Sequence, residues 1–72
     1  MRATIVIAVE ETENAAAVEA WFGRWGSRLG FRSEDQGCGC CVHTWDVDAP
    51  PEAITELPEV VCAESEWTRG AA

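Results

Sequence analysis

Apolar residues follow two different rhythms along this chain. Thr4 to Val9 is an unbroken β-branched and apolar run, which suits a central strand covered on both faces or paired in an oligomer. Glu10-Glu11-Thr12-Glu13-Asn14 ends it, and Thr12 or Asn14 is placed to cap a helix, with acids near its positive end. From Ala15 the spacing widens. Val18, Phe22, Trp25 and Leu29 recur at i, i+4, i+7 and i+11, one stripe of an amphipathic helix that Gly30 is placed to stop. Gly23 and Gly26 each cost such a helix about 1 kcal/mol against alanine, so they are read as allowing close approach of the sheet or a partner.

Phe31 to Glu34 reads as a short strand, Asp35-Gln36-Gly37 as a turn, and Cys40 to Asp48 as a longer strand around Val42, Trp45 and Val47. Asp48 is placed to cap a brief helix with Pro50, Pro51 and Glu52 in its first turn and Ile54 and Leu57 facing inward. Pro58 stops it. Val60-Val61-Cys62-Ala63 opens a last strand through Trp67, and Arg69 to Ala72 form a tail. The order β-α-β-β-α-β with right-handed crossovers predicts a ferredoxin-like α+β domain spanning residues 1–72. Its antiparallel sheet has strand order 4-1-3-2, with both helices on one face. The other face is apolar enough to predict a homodimer through the sheet.

Seventy-two residues make one thin-cored domain, too small for a substrate cleft between domains. Thirteen acids stand against five bases, all arginine, for a net charge of −8. That charge argues against binding nucleic acid directly or an anionic membrane, and favours a basic protein partner or serves solubility alone. The run Ile5 to Val9 is too short for a leader's apolar core, and no stretch approaches the ~20 apolar residues of a membrane span. The four cysteines are therefore read as reduced thiols of a cytoplasmic protein.

Gly37-Cys38-Gly39-Cys40-Cys41-Val42-His43 is the one conspicuous string. Cys38 and Cys41 form a C-x-x-C pair, and Cys40 and His43 add nearby ligands that suit Zn or Cu. Against this, a structural site draws ligands from two segments, and the distant Cys62 lies two strands away, roughly 9–10 Å by strand spacing. The alternative is that these cysteines act as small buried hydrophobes under the hairpin. An enzyme is not predicted. Cys41 and His43 stand about 7 Å apart on one strand face, beyond reach of a nucleophile and its base. The chain also has neither lysine, tyrosine nor a glycine-rich phosphate loop.

With strands one and three read as parallel neighbours, their C-terminal ends lie together. Glu10, Glu11, Glu13, Asp46, Asp48, Glu52 and Glu59 then gather at one end and the arginines toward the other. Helix capping accounts for about three of these acids, at ~0.3–1 kcal/mol each. The expectation is a carboxylate surface that occupies a basic site on a nucleic-acid-binding protein or complex. Such a nucleic-acid mimic would be an inhibitor or regulator of the anti-CRISPR-like type, a comparison of physical strategy and not of sequence motif. The alternative function is a thiolate metal-binding or metal-sensing module on Cys38, Cys40, Cys41 and His43.

Overall fold

The computed structural model describes residues 1–37 and 41–69. Strand β1, Arg2–Ala8, buries its odd positions: Ala3, Ile5 and Ile7 all enter the core, and Ile5 is completely inaccessible. Helix α1, Thr12–Trp25, begins without a side-chain cap, so neither Thr12 nor Asn14 performs the expected capping. Asn14 instead donates from Nδ2 to Glu11 Oε2 at 3.0 Å. The predicted stripe holds: Val18, Phe22 and Trp25 are buried and Leu29 is half-buried against the same core. Trp21 joins it, one turn before Trp25, and donates from Nε1 to the Ala53 carbonyl at 2.7 Å. A 3₁₀ turn over Gly26–Arg28 ends the helix before Gly30 is reached. A Cβ on Gly23 or Gly26 would meet open space, so neither glycine permits a close approach.

Strands β2 (Phe31–Arg32), β3 (Val42–Asp48) and β4 (Cys62–Ala63) complete a sheet of order β2-β3-β1-β4. This is the expected order read from the opposite edge, in an α+β chain. Every neighbouring pair is antiparallel, including β1 with β3, where Arg2 faces Asp48 and Ala8 faces Val42. The parallel reading of these two strands is thereby overturned. A crossover through α1 returns the chain in the direction of β1, so β2 runs with β1 and the hairpin turns β3 against both. The hairpin pairing extends past β2: Ser33 and Gln36 donate backbone N–H groups to the carbonyls of Asp46 and Thr44.

Helix α2, Pro51–Glu56, has proline at its first position and Pro50 as N-cap. Asp48 does not cap it. Its carboxylate accepts the N-terminal ammonium of Met1 at 2.9 Å, because the β1–β3 register brings the two ends together. Ala53 and Leu57 are buried, and Ile54 packs on the core half-exposed. A 3₁₀ turn over Glu59–Val61 buries Val61 and leads into β4, only two residues long.

The strand expected to run through Trp67 is replaced by helix α3, Glu66–Arg69. Ser65 and Thr68 exchange hydrogen bonds between their hydroxyls and backbone N–H groups, a reciprocal cap that turns the chain. Trp67 is thereby laid against the sheet: Nε1 donates to the Val47 carbonyl at 2.9 Å, and the Arg2 guanidinium sits 4.1 Å from its ring centroid. Thr4, on the even face of β1, is 4% exposed and hydrogen-bonds Asp46 and Ser65. This segment thus occupies part of the face on which pairing of two copies was expected. Among the described residues, no helix is long and apolar enough to cross a membrane.

Candidate functional site

The turn from β1 into α1 carries Glu10, Glu11 and Glu13, all exposed. The Glu11 N–H donates to the Ala8 carbonyl at 3.0 Å, so the chain reverses tightly and presents all three side chains beyond the end of the sheet. Among the described residues, no arginine stands within ion-pair distance of any of them.

The seven acids expected at one end do not meet. Antiparallel pairing sends Asp48 and Asp46 to the end of β1 where Arg2 and Thr4 lie. Six residue steps at about 3.3 Å separate Arg2 from Ala8 and four separate Thr4 from it, so Asp48 and Asp46 stand about 20 and about 13 Å along the strand from the turn. Two of the distal acids also meet cations. Asp48 pairs with the N-terminus, Glu52 lies 3.9 Å from Arg28, and Asp46 accepts from Thr4. Glu56, outside the predicted set, takes Arg24 at 3.4 Å. Glu59 sits on the β4 side, near enough to Cys62 to act on its thiol.

Of the proposed metal ligands, Cys38 and Cys40 lie outside the described residues. Cys41 is exposed just before β3, its carbonyl accepting the Val9 N–H at 3.0 Å. Among the described residues, no three His, Cys, Asp or Glu side chains are grouped to hold a metal. Cys62 pairs across from Ile5 on β1, which itself faces Trp45, so the expected two-strand separation from β3 is observed. Partial burial of its sulfur, reinforced by Glu59, pushes the Cys62 thiol up from its ordinary value.

One cluster was not foreseen. The Asp35 carboxylate accepts the backbone N–H groups of Thr44 and Gly37, each at 2.9 Å, and joins His43 Nδ1 in a short hydrogen bond. The Thr44 N–H first, then His43 and the Gly37 N–H, hold the Asp35 carboxyl down at about 2. His43 stacks on Trp45, and Trp45 meets Phe22 edge to face. These rings wall a cleft of about 460 Å³ between α1 and the β2–β3 side of the sheet, with Glu19 and Arg32 also lining it. The turn was legible in Asp35-Gln36-Gly37, but its link to His43 depends on hairpin register, which no local signal states.

No protein-family profile, curated protein or solved structure matches this chain.

Proposed function

We propose that this chain is a non-enzymatic acidic interaction module that binds a basic protein surface in the cytoplasm, inhibiting or regulating a nucleic-acid-binding protein or complex. We read its fold as a shortened ferredoxin-like βαββαβ plan, on which the β1–α1 turn is a pole of the molecule. The observation that carries the reading is charge segregation. Arginines and the N-terminus pair with Asp48, Glu52 and Glu56, whereas Glu10, Glu11 and Glu13 have no counter-ion among the described residues. The working surface is therefore narrowed to those three residues. Their mutual repulsion is a standing cost that a cationic partner relieves, and their field steers its approach.

The probe is a fluorescently labelled arginine-rich peptide, titrated at low and physiological salt. Binding should weaken as salt rises, because the Debye length shrinks to ~8 Å at physiological ionic strength. Reversing Glu10, Glu11 and Glu13 to Lys should abolish it. Reversing Glu52, Glu64 and Glu66 changes net charge equally and should weaken it far less. Equal loss in both triple variants would reduce the pole to general charge.

A second reading, the thiolate metal module with Zn or Cu on Cys38, Cys40, Cys41 and His43, is favoured by one observation. A carboxylate on the far ring nitrogen, as Asp35 supplies to His43, is the usual support of a metal-bound imidazole. Elemental analysis of protein purified without chelator decides it: about one equivalent of zinc or copper supports this reading, and none removes it.

A further inference from the structure

The cleft between α1 and the β2–β3 edge combines rings with uneven charge. Glu19 is exposed on its rim and has no cationic partner within ion-pair distance among the described residues. Asp35 also lines it, but its carboxylate is committed to three donors. Arg32 reaches in from β2 with its guanidinium 3.8 Å from the Phe22 ring centroid, held by that ring and, among the described residues, by no carboxylate at ion-pair distance. The cleft thus already displays the contact by which an aromatic face takes a guanidinium. At about 460 Å³ it has room beyond that one side chain. It also adjoins the acidic pole, since Ala15 and Glu19 follow Glu11, the residue that precedes α1, at i+4 and i+8, about 12 Å along the helix axis.

We infer that this cleft seats an arginine side chain of the basic partner. The guanidinium is held by cation–π contact with the Phe22 and Trp45 rings and by the Glu19 carboxylate, with His43 lining the wall beside them, while neighbouring basic residues of the partner meet Glu10, Glu11 and Glu13. The inference rests on the acidic-module reading and gives it a point of specificity: charge at the pole attracts any cation, whereas an aromatic wall favours the planar, weakly hydrated guanidinium over an ammonium.

The probe is N-acetyl-arginine amide, a single cation free of peptide context, followed by the Trp45 indole and His43 ring signals in NMR titration. Saturable binding in the range of about 1 mM is expected, with N-acetyl-lysine amide weaker and N-acetyl-leucine amide silent. Glu19→Gln should weaken binding roughly threefold. Arg32→Ala, or Arg32→Gln, should strengthen it, because the competing guanidinium leaves the Phe22 face. Abolition by either Arg32 variant would mean that Arg32 builds the site instead of competing for it and would overturn the inference, as would no movement of the Trp45 and His43 signals. Reversal of Glu10, Glu11 and Glu13 should leave this binding within about twofold while removing that of the arginine-rich peptide. A silent amide with a binding peptide therefore sinks the cleft alone, and a binding amide with a peptide indifferent to the reversal sinks the pole.

Discussion

Asp35 holds the turn after β2 against β3 with one carboxylate, and its depressed pKa makes that hold pH-dependent. Because the folded value, about 2, lies below the ordinary 3.8, the ionised carboxylate stabilises the fold above pH ~4. That contribution is lost as pH falls through about 2. Asp35→Asn should therefore lower the urea midpoint at pH 7, and the difference from wild type should close near pH 2. A gap unchanged between those pH values would show that the charge is immaterial. Two glycines give opposite expectations. Gly23→Ala adds a methyl into open space in a helix and should raise stability by about 0.5–1 kcal/mol in chemical unfolding. At Gly37 a Cβ would overlap the Val42 carbonyl, so Gly37→Ala should lower the melting temperature. Sequence spacing alone distinguished neither case, since the difference lies in what each Cα faces.

At the scale of elements, what was legible was what repeats. The Val18-Phe22-Trp25 stripe is a periodic signal long enough to survive tertiary context and enters the core; the apolar run of β1 was legible as a strand, but only Ile5 and Ile7 of it enter the core, and Val9, expected to be covered, is exposed in the turn after it. Phe22 touches Trp21 and Trp45 edge to face, so Phe22→Ala should cost about 3–5 kcal/mol by denaturant titration, most of what a domain this small has. The last segment misled because Val60-Val61-Cys62-Ala63 has strand propensity, whereas its pairing ends after two residues and the Ser65–Thr68 exchange turns it into a helix. A four-residue helix has no period to detect. Its consequence is testable through Trp67, which contacts Arg2, Phe31 and the Val47 carbonyl. Trp67→Ala should destabilise by about 1–3 kcal/mol, below the cost at Phe22 because Trp67 is only half-buried. Thermal unfolding indistinguishable from wild type would mean that α3 does not cover the sheet.

For the whole molecule, strand direction decides the charge layout. Composition showed the excess of acid, but placing seven carboxylates at one end required β1 and β3 to run together, and their antiparallel register divides the set. What remains is an uneven body: a pole at Glu10, Glu11 and Glu13 with no ion pair among the described residues, and an opposite end where Asp48, Glu52 and Glu56 each meet a cation. The cleft stayed out of reach of the sequence because its members come from β1, α1, β3 and the segment from Arg32 to Asp35, joined only by folding. The most direct test of the central claim is residue-resolved NMR mapping of the wild-type protein with an arginine-rich peptide at physiological salt. The account predicts saturable amide shifts centred on Glu10 to Asn14 and extending along α1 to Glu19, with the signals of Asp48 and Glu52 unmoved. Shifts centred on Trp67 and the even face of β1, or spread evenly over all exposed carboxylates, would contradict it.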